Sequence, residues 1–329
     1  MIMADSRKLV FRKFVFSLLG LAGLVYVIRD YGVFRLQEDI NLLGWWSVAI
    51  VLTFFPTLVG YSTAWLLCTE FGGRTESCFF RLARFTGMSA ASIAWNNLTP
   101  FLKIGGEPAK VFMLESLTGR REAVRSVVIY NIVHVLGTLL ALIIAAFVIP
   151  PVFGTQGRIG AACYFIGVLG LLIFILMMLL PRIAGGWFKR SSLRKWRKPI
   201  VMARWTLHRC ARFARRRRLR FVVALSVEVA ARFVEGFTFW LAFRLLGQPI
   251  SIVAAAFLDV GRLLFDTVFF FIPYQVGSRE GGVLFLLRDV MGIGTAGYLA
   301  AAFMYRFVEI AWIGLGWLYW VAIKRRPVS

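Results

Sequence analysis

Acidic residues are scarce in this 329-residue chain: 16 Asp and Glu stand against 39 Lys and Arg, for a formal net charge of +23. Cysteine is scarcer still. Cys68, Cys78, Cys163 and Cys210 are scattered with no C-x-x-C spacing, which excludes a zinc site or disulfide framework read from cysteine spacing. Two histidines argue against a histidine-based metal centre. The sequence has no G-x-S-x-G, no P-loop, no dinucleotide fingerprint and no H-E-x-x-H. Nor does it hold a soluble stretch of the roughly 100–200 residues that separate chemistry would occupy. We therefore expect no catalytic residues, no metal and no cofactor. Energy from nucleotide hydrolysis would need another chain.

What is abundant is apolar. Hydrophobic residues make up 59% and mean hydropathy is +0.74, beyond the usual share of a soluble domain. Several runs reach the roughly 20 residues that span hydrocarbon. The N-terminal basic residues followed by an apolar run imitate a signal peptide, but no small-residue cleavage site follows, so the run is expected to be a retained span. The basic excess lies in loops beside apolar runs, which favours anionic lipid headgroups as partner over nucleic acid.

Two polar islands interrupt the apolar pattern. The first runs from Trp95 to Lys110, with Asn96, Asn97, Thr99, Pro100, Lys103, Gly105-Gly106 and Glu107. The second runs from Ile272 to Gly281, with Pro273, Gly277, Arg279 and Glu280. In each, a Glu follows a Pro by seven residues. Paired interrupted apolar segments in the two halves of a membrane chain point to a transport site.

The predicted fold is an all-α polytopic membrane protein of six full spans plus two re-entrant helical hairpins. The spans are 14–28, 43–68, 126–149 (ended by Pro150-Pro151), 160–180 (ended by Pro181), 221–246 and 296–323. The hairpins are 85–117 and 253–290, with the islands at their tips. Residues 1–155 and 156–329 then form two membrane repeats of inverted topology. Arg182–Arg220 holds fifteen Lys and Arg and no Asp or Glu. Its interleaved Trp187, Phe188, Trp196, Trp205 and Phe213 suit an amphipathic segment lying on an anionic leaflet. The positive-inside rule places this segment and both termini in the cytoplasm, in a bacterial or archaeal cytoplasmic membrane.

Charges inside these apolar segments need partners. Glu228, Arg232 and Glu235 share one helical face; Asp259, Arg262 and Asp266 share another. Asn131 and His134, and Arg306 and Glu309, are i, i+3 pairs. A lone charge near mid-bilayer costs roughly 2.5–3.5 kcal/mol on insertion scales. These groups are either structural ion pairs or the lining of a wet cavity for a lipid headgroup. In the cavity reading, Arg232, Arg262, Arg279 and Arg306 hold phosphate. Asn96, Asn97 and Thr99 bind neutral headgroup atoms, and Glu107 and Glu280 set charge balance beside Lys103, Lys110 and Glu309. His134 reads as a satisfied interior histidine rather than a proton relay.

Asn97-x-x-Pro100-x4-Gly105-Gly106-Glu107-x2-Lys110 and Pro273-x3-Gly277-x2-Glu280 resemble the hallmarks of the lysylphosphatidylglycerol synthase transmembrane-region family, the flippase-like integral membrane proteins. Two positions depart from the family pattern: Tyr274-Gln275 stands where Gly-Gly is frequent, and Lys110 where Arg is frequent. The resemblance implies a unit that moves a lipid between leaflets: aminoacylated phosphatidylglycerol, or a polyprenyl-linked or hopanoid-type lipid. The soluble aminoacyl-transferring domain of fused members has no counterpart here, so synthase activity is not implied. An intramembrane transferase and a lipid-binding scaffold for a biosynthetic enzyme are the rival expectations.

Overall fold

The structure is a computed structural model and describes residues 29, 32–71, 77–98, 105–187, 209–270, 272 and 275–324. The expected first span, Thr99, Lys103, the two island prolines and most of the basic segment lie outside the described residues. Among the described residues the regular structure is helical throughout. In chain order the helices are α1 (Val33–Leu43), α2 (Trp46–Leu52), α3 (Phe54–Leu67), α4 (Cys78–Leu98), α5 (Gly106–Thr118), α6 (Arg120–Phe153) and α7 (Gly157–Trp187). Then follow α8 (Arg218–Glu235), α9 (Phe237–Leu245), α10 (Ile252–Val268), α11 (Ser278–Phe285) with a π turn over Leu286–Val290, and α12 (Tyr298–Lys324).

Among the described residues, four stretches are long and apolar enough to cross a membrane: Trp46–Leu67, Arg120–Phe153, Gly157–Leu179 and Tyr298–Ile323. They match the expected second, third, fourth and sixth spans. The second is not one straight helix. Pro56 has no N–H for the carbonyl of Leu52 and its ring crowds that oxygen. The ladder slips at Thr53, whose N–H turns to Ile50 O at 3.1 Å and whose hydroxyl meets Thr238 at 2.8 Å.

Two expected helix ends move. Pro150-Pro151 does not stop α6, which continues to Phe153. Only two hydrogen bonds are forfeited so close to the end. The stop is Gly154, in the left-handed region at φ 67°, with the N–H of Thr155 on Pro150 O at 3.0 Å. α7 likewise runs through Pro181 to Trp187.

The expected fifth span is α8 and α9 joined at Gly236. A Cβ there would lie 2.4 Å from Ala256 Cα and 2.6 Å from Ala255 O, so the glycine lets α10 cross at backbone distance. This broken helix keeps its charges on the inner side: Glu228, Arg232 and Glu235 are all buried.

The arms of the two expected hairpins pack as helix pairs, α4 with α5 and α10 with α11. The first arm begins at Cys78, seven residues before the expected start. α4 and α12 cross at backbone distance: a Cβ on Gly316 would meet Ala90 O at 2.1 Å. Tyr319 fills the notch at Gly87 and donates its hydroxyl to Arg84 O at 3.1 Å. Gly316→Ala is expected to destabilise by about 1–3 kcal/mol, the usual cost of overpacking, read as a lowered thermal midpoint in detergent. An unchanged midpoint would show that the two helices separate without penalty.

α7 packs chiefly on α6 and turns Phe165, Leu169, Leu172 and Leu176 outward. That exposed stripe has helical spacing and suits hydrocarbon as its solvent. Residues 209–216 are also helical, but Phe213 and Cys210 are buried in the protein core with Cys68 and Trp65. Phe213 therefore does not lie on the leaflet as the aromatic pattern suggested. Its helix is already amphipathic against the bundle, with Arg212, Arg215 and Arg216 exposed.

Candidate functional site

The helices enclose a cavity of about 260 Å³ between α3, α4, α5, α6, α8 and α12. Its walls carry both signs of charge. Lys110 and Arg232 are the cations; Glu107, Glu235 and Glu309 are the carboxylates. Asn96, Asn97, Asn131, Ser89 and Ser92 add neutral donors and acceptors. Phe54, Leu58, Ile93, Val308 and Trp312 make the rest apolar.

The first island builds one wall. Asn96, in the last turn of α4, accepts from the N–H of Gly106 at 2.7 Å and so caps α5 across the gap. Gly106 must be glycine at this approach, because a Cβ would sit 2.6 Å from both Ser92 O and Ser92 Oγ. Asn97 turns back and donates to Ile93 O at 2.9 Å. α5 then presents Glu107 and Lys110 one turn apart, 3.2 Å from Oε1 to Nζ. The other Glu107 oxygen accepts from Asn131 Nδ2 at 2.7 Å. Lys110 lies over the Tyr130 ring, 4.6 Å from its centroid, a desolvated cation held by an aromatic face.

The facing wall is α8. His134 Nδ1 contacts Glu228 Oε1 in a very short hydrogen bond, and Gly137 leaves the space that Glu228 occupies. Arg232 donates from Nη2 to His134 Nε2 at 2.8 Å and lies over Tyr61 at 4.9 Å. Its Nη1 is 3.7 Å from Glu235 Oε2. Glu235 accepts from Tyr61 OH at 2.8 Å and, more closely, from Tyr305 OH.

Behind this wall runs a ladder of ion pairs. Arg262 donates to Asp259 at 2.9 Å, to Asp266, and to Tyr305 OH at 2.8 Å. Arg279 grips Asp266 with two bonds of 3.0 Å and reaches Glu309 at 2.6 Å. Arg306 bonds Glu280, whose second oxygen accepts from Gly277 N–H at 2.8 Å and caps α11. Six carboxylates (Glu228, Glu235, Asp259, Asp266, Glu280, Glu309) thus face four guanidiniums.

The residues expected from sequence divide accordingly. Asn96, Asn97, Glu107, Lys110, Arg232 and Glu309 line the cavity. Arg262, Arg279, Glu280 and Arg306 do not; behind it the three arginines are engaged with carboxylates or backbone, and Glu280 with Arg306 and the Gly277 N–H. Among its described residues, the second island meets the cavity lining through Arg279, which bonds Glu309 and lies 5.7 Å from the Tyr305 ring centroid. Tyr61, Tyr130, Tyr305, Ser89 and Ser92 line the cavity although nothing in their spacing distinguishes them from ordinary core. Asn131 and His134 did carry a signal, as polar residues one turn apart in an apolar span.

The fold and this interior site define a polytopic helical membrane protein. More narrowly, the chain belongs to a family: the family model described as Lysylphosphatidylglycerol synthase TM region matches residues 12–316, nearly its whole length. That membership points to a function in membrane-lipid handling. No curated protein and no solved structure matches the chain.

Proposed function

We propose that the protein is a lipid translocase without enzymatic activity of its own. It receives the headgroup of a phosphate-containing or amino-modified lipid in the cavity while the tails stay in the bilayer. The observation that carries this reading is that Lys110 and Arg232 share one half-enclosed cavity with Glu107, Glu235 and Glu309. A phosphate finds donors at the two cations, the guanidinium matching its geometry. An ammonium or amino-acyl group finds acceptors at the carboxylates. Family membership supports the lipid, and the charge pattern supports a zwitterionic headgroup over a purely anionic one.

The proposal includes an inverted repeat in a cytoplasmic membrane, both termini inside and the basic residues beyond α7 against anionic lipid. Matching contacts support the repeat. Glu107 bonds Asn131, 24 residues on, and Glu280 bonds Arg306, 26 residues on. Each pairs an island glutamate with the long helix that follows.

Movement of labelled lipids in proteoliposomes tests the function. Wild type is expected to move lipids selectively by headgroup. Glu107→Gln is expected to slow that movement about tenfold, the worth of one charge-assisted hydrogen bond. Binding without movement would instead favour a scaffold, and product formation by the purified chain a transferase.

A further inference from the structure

Glu228 is wholly buried on α8, and its Oε2 has no hydrogen-bond partner. Its other oxygen meets His134, which stands between that carboxylate and the cavity with 37% of its side chain exposed. On the other edge of the ring, Arg232 Nη2 lies 2.8 Å from Nε2. A guanidinium has only donors, so Nε2 accepts. The hydrogen-bond pattern therefore assigns the neutral ring with its proton on Nδ1, donated to Glu228. Arg232 is itself buried, and its Nε has no partner.

A proton added to this ring must go to Nε2. There it would face a guanidinium N–H, donor against donor and cation against cation. Glu228 holds the imidazolium from the opposite edge, so Arg232 is the group that moves away. We propose that His134 and Glu228 form a proton-binding site linked to anion binding: a proton on Nε2 releases Arg232 to a phosphate in the cavity. The proposal rests on the headgroup reading above. The Arg232–His134 hydrogen bond breaks, the longer Arg232–Glu235 pair at 3.7 Å loosens, and hydronium at the cavity mouth gives up the proton and leaves as water. Linkage runs both ways, so a phosphate that draws Arg232 off leaves Nε2 free to bind a proton. One proton then accompanies each headgroup into the site, which lets a proton gradient bias the direction of lipid movement.

Charged groups of both signs surround the ring. Glu107 of α5, Glu235 of α8 and Glu309 of α12 share the cavity with His134, against Lys110 of α5 and Arg232. Lys110 is paired with Glu107. Tyr61 of α3, Tyr130 of α6 and Tyr305 of α12 are neutral phenols around it, and α4 contributes only amides and hydroxyls. Arg262 and Asp259 of α10 lie behind Glu235 as a pair. α7 covers the other side of α6 and brings no group to the cavity.

Titration calorimetry in two buffers of different ionisation enthalpy tests the link, using purified protein with a short-chain phosphatidylglycerol and, separately, inorganic phosphate. Wild type is expected to take up about one proton per bound probe wherever the free ring is neutral, with affinity falling about tenfold per unit rise in pH there. His134→Gln keeps an acceptor for Arg232 and is expected to bind with no proton uptake. Glu228→Gln keeps the ring but removes its counter-charge, so proton uptake per bound probe is expected to fall below the wild-type value at the same pH; this variant carries the test should His134→Gln fail to fold. Wild-type binding without uptake would overturn the proton link and leave the headgroup site standing. Uptake surviving in His134→Gln would overturn the assignment to this ring. Equal affinity for both probes would support the link while identifying free phosphate as the ligand. Binding of neither probe at any pH would overturn link and headgroup site together.

Discussion

Arg232→Gln is expected to cut headgroup-selective lipid movement in proteoliposomes by about ten- to a hundredfold, the loss of one charge-assisted hydrogen bond to phosphate, while the protein still folds. Arg232 differs from the other three inward arginines in what it touches. It touches a neutral imidazole at 2.8 Å, a carboxylate at the longer distance of 3.7 Å, and the face of Tyr61. Its Nε is unpartnered and it lines the cavity. Of the four guanidiniums it therefore has donor capacity to give to a ligand. Gln keeps a hydrogen-bonding amide beside His134 but has neither charge nor fork. Arg232→Lys restores the charge alone and is expected to recover only part of the activity, because a point charge does not reproduce bidentate contact. Full activity in Arg232→Gln would remove this residue from the headgroup site.

Much of this architecture was legible in the sequence. Long apolar runs fixed four of the crossings, since length and hydropathy act locally. The islands stood out because Gly, Pro and charge are rare in such runs, and the first does build a cavity wall through Asn96, Gly106, Glu107 and Lys110. The roles of the arginines were not legible. Arg262 and Asp266 are visibly one turn apart, but the pairing of Arg279 with Glu309 spans 30 residues and that of Arg306 with Glu280 spans 26. Only tertiary packing reveals that these guanidiniums are already occupied. Helix ends were misread for a related reason. Proline weakens a helix wherever it sits, yet near a terminus few bonds remain to lose, and Gly154 with its left-handed backbone decides where α6 stops. Phe213 went into the core instead of toward lipid because helical periodicity specifies an apolar face without saying what will cover it.

Arg262→Leu is expected to lower stability by about 3–5 kcal/mol, the usual cost of removing one partner from a buried ion pair, and so to deplete folded protein before any transport is measured. Arg262 is 2% exposed and bridges Asp259, Asp266 and the Tyr305 hydroxyl, with Glu235 3.7 Å away. Without it, Asp259 is left wholly buried with one oxygen already lacking a partner. Asp266 keeps Arg279 and suffers less. The asymmetry makes a double-mutant cycle informative. Arg262→Leu combined with Asp259→Leu removes a charge of each sign together, so its cost should fall well below the sum of the two single changes. Additive costs would show that the pair does not interact. Arg262→Lys should fall between, since one ammonium cannot span both aspartates and Tyr305. Thermal unfolding in detergent reads the wild type and all four variants. The contrast with Arg232 is the physical point. Two arginines 30 residues apart, each buried in an apolar chain, are separated in role by their acceptors: carboxylates that complete Arg262 make it structural, and the neutral imidazole beside Arg232 leaves it charge to share with a ligand.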